Sequence, residues 1–336
     1  MYHLRIVAPR ETSDEALGLL QASPSVCNVI FLEGAAKEPE GDVILADVAR
    51  EDASVIISDL RELRLEEEGS IALESIDTAL SKGAERAEQA AEGAPSDAVI
   101  WEQVEFRTSE EAKLSASYLT FIVLATLIAS VGLLLDSPIL IVGAMVVGPE
   151  FGPIAGFCVA IVERERKLAA RSFVALAVGF PVAILVTYLA ALAFKGSDAA
   201  PDNFSFDEST FAHAISTPDF FAFFVAFCAG VAGMLSLTTA KSGALIGVLI
   251  SVTTIPAAAA ISVASAYRDA DALAGSAAQL AVNLTMILLA GVTTLSIQRW
   301  LYGRRRKRHL RTESRRAGGL RVGRAARDAP PEREPA

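Results

Sequence analysis

The chain has few of the residues that build disulfide frameworks and metal centres. Its 336 residues include only three cysteines and three histidines. None of them shows the close spacing of a metal site, and two of the cysteines lie in apolar runs, so we expect free thiols. The residues concerned are Cys27, Cys158, Cys228, His3, His213 and His309. We therefore expect no disulfide, no metal site and no bound cofactor.

Catalytic motifs are also missing from the sequence. The first 80 residues contain no glycine-rich phosphate loop and no catalytic triad. The apolar segments that follow contain no histidine pair, no Ser–His pairing and no acidic metal cluster. We therefore expect that the protein is not an enzyme.

Charge is distributed unevenly along the chain. The overall net charge of −10 divides into −15 for residues 1–114, −3 for residues 115–302 and +8 for residues 303–336. This asymmetry indicates three different environments. We interpret 303–336 as a basic cytosolic tail that sets membrane topology and is otherwise disordered, with anionic-lipid binding as an alternative. Because no folded basic module accompanies this tail, we expect no nucleic-acid partner.

The first 80 residues alternate between strand and helix patterns. The order βαββαβ predicts a ferredoxin-like α+β cytosolic domain over 1–80. Such a domain either binds a ligand or partner, or is a folded cap with no ligand. The predicted strands are 3–8, 26–32, 42–48 and 70–76, and the predicted helices are 14–21 and 51–63.

Residues 81–114 are expected to form a linker to the membrane. Residues 81–98 are rich in Ala, Glu and Gly, which indicates a linker or a loose helix. Residues 99–106 are interpreted as either a further strand or an interfacial segment.

Six apolar runs predict an α-helical polytopic membrane domain over 115–302. Each run has 18 to 25 residues, which is long enough to cross a bilayer. Basic residues follow the second and sixth runs, and the positive-inside rule then puts both termini in the cytoplasm. We expect a multi-pass protein of the inner (plasma) membrane. The runs are 118–135, 138–162, 173–194, 220–237, 243–266 and 277–297.

The second apolar run contains one carboxylate between glycines and prolines. The residues are Gly148, Pro149, Glu150, Gly152 and Pro153. Proline removes a backbone donor and clashes with the preceding turn, so the helix is expected to break here. Glu150 is twelve residues past Pro138, about 18 Å at helical rise, which predicts a position near mid-membrane. An ionisable group in the membrane beside broken backbone indicates a functional site.

Spans one to three resemble spans four to six in layout. At an offset of 104 residues Glu150 aligns with Thr254, and at 103 Pro153 aligns with Pro256. A real repeat of three spans has opposite orientations in its two halves, as in many secondary transporters. The second and fifth spans are then both broken helices that face each other at the midplane. Chance similarity of apolar sequence is the alternative.

The candidate binding residues therefore come from three spans. They are Glu150, Gly148, Pro149, Gly152, Pro153, Thr253, Thr254, Pro256 and Asn283. Each has a structural alternative. The carboxyl can be a protonated group in a packed interface, threonines can bond carbonyls at kinks, and an asparagine can tie two helices together. The glycines at 143, 148, 152 and 156 can serve close helix packing.

The signature of the second span resembles a known family. Asp136-Ser137-Pro138 and the run from Gly143 to Pro153 look like the marker of the uncharacterised hydrophobic membrane proteins called domain-of-unknown-function family 389 (DUF389). Residues 241–247, Lys-Ser-Gly-Ala-Leu-Ile-Gly, look like its second marker. The likeness covers about 115–300 and is closest to the branch with Pro-Glu-Phe-Gly-Pro, since other members carry an apolar residue at the position of Glu150. It implies a prokaryotic multi-span membrane protein without an established substrate.

Two functions remain open at this point. One is a transporter or ion-translocating protein with its site at Glu150 and the helix breaks, gated or assembled by the N-terminal domain. The other is a membrane-anchored sensor or scaffold whose N-terminal domain binds a ligand or partner. The expected partners are the lipid bilayer, a small polar solute or ion, and further copies of the chain in a homo-oligomer.

Overall fold

The structure is a computed structural model with two compact units. It describes residues 1–91, 93, 98–197, 200–201, 204–239 and 245–323, without the side chains of 245–253. One unit combines Met1–Glu102 with Trp300–Ala336, and the other is Gln103–Arg299.

The first unit contains a four-stranded antiparallel sheet. Its strand order is β2-β3-β1-β4, and all three neighbouring pairs are antiparallel. The predicted order βαββαβ is present, with one extra helical turn before the last strand. The elements are β1 (Tyr2–Ala8), α1 (Arg10–Gln21), β2 (Val26–Lys37), β3 (Glu40–Val48), α2 (Arg50–Glu62), α3 (Leu65–Glu68) and β4 (Ser70–Ser75).

Alternation along β1 explains how the sheet packs. Successive side chains of a strand point to opposite faces, so every second residue faces the helices. Leu4 and Ile6 are fully buried on that face and pack with Leu20 of α1 and with Ile56 and Leu60 of α2. The apolar residues of α2 recur at helical spacing, which puts them on the face that covers the sheet.

Residues 81–114 contain two helices, the first of which agrees with the helical alternative for 81–98. They are α4 (Lys82–Ala90) and α5 (Trp101–Glu111). The Ser81 side chain accepts a hydrogen bond of 3.0 Å from Ala84 N and caps α4. The alternative of a strand at 99–106 is wrong. Trp101, Val104 and Thr108 are buried at intervals of three and four residues, which is helical rather than strand periodicity.

The second unit is built from apolar helices. Four of them, α6, α9, α11 and α13, are long and apolar enough to cross a membrane, and the bent pair α7–α8 makes a fifth candidate. The chain is thus a mostly helical membrane protein with an N-terminal antiparallel sheet. The helices are α6 (Ala116–Leu134), α7 (Pro138–Val147), α8 (Phe151–Glu163), α9 (Arg166–Gly196), α10 (Thr210–Ser216), α11 (Phe220–Thr238), α12 (Leu245–Tyr267) and α13 (Ala270–His309).

The fifth predicted span differs from expectation in one respect. Helix α12 runs without interruption through Pro256, so the predicted second helix break is absent. A proline inside a membrane helix removes one backbone hydrogen bond, and neighbouring groups can compensate for that loss. Only Thr254–Tyr267 of this helix is described with side chains, and that part is too short to count as a span.

The basic C-terminal segment is partly folded, in contrast to the disorder predicted for 303–336. Helix α13 continues to His309, and a short helix α14 (Glu313–Ala317) follows. The segment packs on the N-terminal sheet domain: a side chain at Gly18 in α1 would approach the Ala317 carbonyl oxygen to 2.6 Å. Residues 324–336 of the predicted tail lie outside the described residues.

A buried charge cluster joins this segment to α2. Asp59 is fully buried, and it accepts hydrogen bonds from the guanidinium groups of Arg306 and Arg315. His309 Nε2 lies 2.7 Å from Asp59 Oδ2, and Arg315 Nη2 donates to Glu62 Oε2 at 2.5 Å. Because Arg315 is itself fully buried, the cluster is an internal ion pair rather than a surface contact.

Candidate functional site

The predicted interruption of the second span is present. Helix α7 ends at Val147, α8 begins at Phe151, and the two are bent by 51°. Gly148 has an extended backbone, with ψ 126°, as expected for a residue before proline. Pro153 lies in the first turn of α8, where a missing N–H is tolerated. The local sequence therefore explains both the end of one helix and the start of the next.

Glu150 lies in this interruption and is fully buried. Thr254 Oγ1 of α12 donates a hydrogen bond of 2.7 Å to Glu150 Oε1. These are the two residues that the repeat offset of 104 aligned, so the structure brings together the second and fifth predicted spans at the expected positions. A carboxyl group in an apolar interior is costly unless it is hydrogen-bonded or neutralised.

Gly148 makes room for the Glu150 carboxyl group. A side chain at position 148 would overlap Glu150 Oε2 and would approach Ile255 Cγ1 to 2.9 Å. The carboxyl group therefore folds back over the Gly148 backbone, with Oε1 toward Thr254 and Oε2 toward Gly148. This close approach requires glycine.

We expect Gly148→Ala to displace the carboxyl group and weaken its bond to Thr254. Overpacking of this kind should lower the free energy of unfolding by about 1–3 kcal/mol, measured by denaturant titration in detergent. Gly143→Ala is the matched control on α7, because a side chain there meets nothing within 4 Å. The control should change stability by less than about 1 kcal/mol. Equal stability of the two variants would contradict the described packing.

A cavity of about 380 Å³ lies beside the interruption. Its wall combines residues of the break with charged residues that precede α6. Lys113 Nζ lies 2.5 Å from Glu110 Oε1, and Arg107 Nε lies 3.0 Å from Glu111 Oε1. The lining residues are Glu110, Glu111, Lys113, Ser115, Tyr118, Phe121, Gly148, Pro149, Phe151 and Gly152. The cavity is large enough for several water molecules or a small solute.

Two glycines of α8 have packing roles. A side chain at Gly152 would approach Glu111 Cβ to 2.7 Å, and one at Gly156 would approach Ser172 Oγ to 2.7 Å. These distances agree with the alternative that the glycines allow close helix approach. Gly152 also lines the cavity, so the packing and cavity roles coincide at this position.

The other predicted residues are more dispersed. Asn283 is buried on α13 and accepts a hydrogen bond of 3.1 Å from Gln279 Nε2 of the same helix. Pro256 lies inside the continuous helix α12. The side chains of Thr253 and of the second marker, 241–247, lie outside what the structure describes. The described contacts thus concentrate the site on Glu150, Thr254 and the break.

Sequence reasoning missed Tyr118 of α6. The side chain is buried and lines the cavity, and its hydroxyl has no hydrogen-bond partner among the described residues. The one available signal was a tyrosine near the start of an otherwise apolar span. That signal is weak, because tyrosine is common where spans meet the membrane surface.

Comparison with known proteins confirms the family resemblance. Residues 145–289 match the sequence model described as Domain of unknown function (DUF389). An uncharacterised protein of Methanocaldococcus jannaschii is 25% identical over 207 residues, which is 60% of this chain and 62% of that protein. The chain thus matches less than two thirds of the length of this curated relative. No solved structure matches the chain.

Proposed function

We propose that the protein is a transporter or ion-translocating protein with its site at the interruption between α7 and α8. One observation carries this proposal: the fully buried Glu150 is hydrogen-bonded to Thr254 where a membrane helix is interrupted. Broken backbone within a membrane is tolerated where it is enclosed by protein or lines a wet cavity. The adjoining cavity supports the second condition.

The chemistry of Glu150 suits a group that exchanges its charge partner. Moving an ionised carboxylate out of water costs roughly several kcal/mol of free energy, unless a proton or a cation accompanies it. The Thr254 hydroxyl donates a hydrogen bond to one oxygen of this carboxyl group. We therefore assign Glu150 the role of binding a proton or a small cation, with Thr254 orienting one carboxyl oxygen.

In the proposed topology the chain crosses the plasma membrane six times. Both of its termini are then in the cytoplasm. The five candidate spans and α12 supply the six helices. Arg164, Arg166 and Lys167 follow the second span, and the positive-inside rule assigns that turn to the cytoplasm. Exposed phenylalanines of α11, including Phe220 and Phe224, suit contact with lipid tails. We further propose a homo-oligomeric assembly.

We keep the inverted repeat in this proposal, but with one broken helix instead of two. The contact between Glu150 and Thr254 agrees with two repeats that meet at equivalent positions. The continuity of α12 means that only one of the two equivalent helices is broken. The proposed site is therefore asymmetric, with the break and carboxyl group on one side and a hydroxyl on an intact helix on the other.

Thiol accessibility at Thr254 tests whether the site opens to water. We expect a Thr254→Cys variant in native membranes to react with a small cationic methanethiosulfonate at least roughly ten times faster than Ser262→Cys. Both positions are fully buried on α12, but Ser262 bonds the Ile184 carbonyl of a neighbouring helix. Cys27 and Cys228 are replaced by serine in both variants. Equal, slow labelling would favour a scaffold over a transporter.

A ligand-binding sensor is the second candidate function. The observation that favours it is a cavity of about 280 Å³ in the sheet domain, between α2 and β4. Its polar wall includes Arg61, Glu66, Ser70 and Glu102. In that case the helical unit anchors the protein, and Glu150→Gln would leave the activity intact.

A further inference from the structure

The basic residues at the end of α13 fall into two sets by helical spacing. Residues three, four or seven positions apart lie on the same side of an α-helix. Residue 311 follows in the turn directly after the helix, where Leu310 N still donates a hydrogen bond of 2.9 Å to the Arg306 carbonyl. The two sets are Arg305, Arg306 and His309 on one side, and Arg304, Lys307 and Arg311 on the other.

The first set is paired with carboxylates of α2. Arg305 Nε lies 3.2 Å from Asp52 Oδ1, and Arg306 Nη2 donates a hydrogen bond of 2.6 Å to Glu62 Oε1. His309 contacts the buried Asp59, as described above. The charges on this side of the helix therefore hold the C-terminal segment on the sheet domain.

The second set has no such partner. Arg304, Lys307 and Arg311 are all exposed, and within the described ranges none of them forms an ion pair with a carboxylate. Positive charge in the last turn of a helix is favourable, but like charges three or four residues apart repel one another. These three residues, which we call the basic stripe, therefore suit a negatively charged partner outside the described part of the chain.

Apolar and aromatic side chains adjoin the basic stripe on the exposed side of the helix. Trp300 and Leu301 are 55% and 52% exposed, and the Arg304 guanidinium carbon lies 3.6 Å from the centre of the Trp300 ring. Tryptophan is enriched where a span meets the headgroups of a bilayer. At helical rise, Arg304 and Lys307 lie about 6 and 10 Å beyond Trp300, within the range over which an anionic membrane surface attracts basic side chains.

We propose that the basic stripe binds the headgroups of anionic phospholipids in the bilayer that α13 crosses. A guanidinium group donates paired hydrogen bonds to phosphate oxygens, and the ammonium group of Lys307 adds a point charge. Trp300 and Leu301 then contact the glycerol and acyl region beside the same lipids. A lipid is the partner that fits, because the charges and the apolar side chains form one continuous exposed side of the helix. This surface is separate from Glu150, and its occupation does not depend on ion flux.

Quenching of tryptophan fluorescence by brominated lipids tests the proposal. The full chain is reconstituted in phosphatidylcholine vesicles that contain a small fraction of dibrominated phosphatidylglycerol or of dibrominated phosphatidylcholine. Bromine quenches only at short range, so the signal reports the lipids beside the exposed Trp300, whereas Trp101 is buried. We expect the wild-type protein to prefer the anionic lipid at least roughly five-fold at low salt, and this preference to shrink at high salt.

Three variants separate a lipid site from a general charge effect. Replacing all three residues of the basic stripe by glutamine should abolish the preference. The matched control replaces Arg5, Lys37 and Arg86, which are exposed elsewhere in the first unit, by glutamine and should keep it. Arg304→Lys combined with Arg311→Lys retains the charge and should also keep the preference. The proposal is overturned by a wild-type protein without preference, by a glutamine variant of the stripe that retains it, or by its loss in the control or the lysine variant.

Discussion

Glu150→Gln should reduce ion flux through the reconstituted protein to the background of empty liposomes. Glutamine has nearly the same shape as glutamic acid and keeps an oxygen that can accept the 2.7 Å bond from Thr254. It cannot gain or lose a proton, and it carries no charge for a cation. The chemistry of the site is thus removed while its packing is retained.

The structural effect of the same change should be small. We expect the free energy of unfolding to change by less than about 1 kcal/mol, since a neutral amide replaces a buried carboxyl group. The control is Glu165→Gln, an exposed carboxylate at the start of α9. It should retain wild-type flux. Normal flux with Glu150→Gln would remove Glu150 from the site, and lost flux with Glu165→Gln would point to a general charge effect.

Asp59→Asn should destabilise the sheet domain strongly. Removing one member of a buried ion pair leaves the other charge uncompensated and costs about 3–5 kcal/mol. The remaining charge here is Arg315, which is fully buried and keeps only Glu62 as an acidic partner among the described contacts. The large expected effect follows from this burial rather than from the number of charges.

Intrinsic fluorescence provides the measurement. The two tryptophans of the chain, Trp101 and Trp300, both belong to the unit that contains Asp59. A denaturant titration should show an early transition in Asp59→Asn. Glu67→Gln removes an exposed ion pair with Arg64 and should lower the free energy of unfolding by at most about 1 kcal/mol. Similar midpoints for the two variants would show that the C-terminal segment is not held by this pair.

The same cluster predicts how stability responds to acid. Burial by itself would raise the pKa of Asp59, but the hydrogen bond with His309 and the charges of Arg306 and Arg315 lower it below its ordinary value of 3.8. The folded protein therefore binds this proton less readily than the unfolded chain. The stabilisation is fully present above pH 3.8 and is lost as the pH falls through the lower folded pKa. The difference between the wild-type protein and Asp59→Asn should shrink over that acidic range.

Local patterns in the sequence predicted much of the architecture. Alternating apolar residues such as Leu4 and Ile6 predicted the strands, because a half-buried strand has a period of two. Gly148 and Pro149 predicted the helix break, because neither residue supports a continuous helix. The offset between Glu150 and Thr254 also predicted a contact that the structure shows at 2.7 Å.

Other features depend on contacts that local patterns do not encode. The pairing of Arg315 with Asp59 joins residues 256 positions apart, so an arginine in a basic segment carried no sign of its burial. Pro256 predicted a second break, but α12 accommodates it without interruption. The Tyr118 side chain fits where it does because Gly179 of α9 leaves space for its hydroxyl group. Local sequence around either residue does not indicate this contact between two helices.

Water access at the helix interruption is the central claim and can be measured by spin labelling. A nitroxide on Phe151→Cys, which lines the cavity, is compared with one on Val146→Cys, which is exposed on α7. The reconstituted protein is titrated with a water-soluble nickel chelate and with oxygen, which concentrates in lipid. We expect the label at position 151 to collide mainly with nickel and the label at position 146 mainly with oxygen. Oxygen-dominated collisions at both positions would contradict a wet site in the membrane.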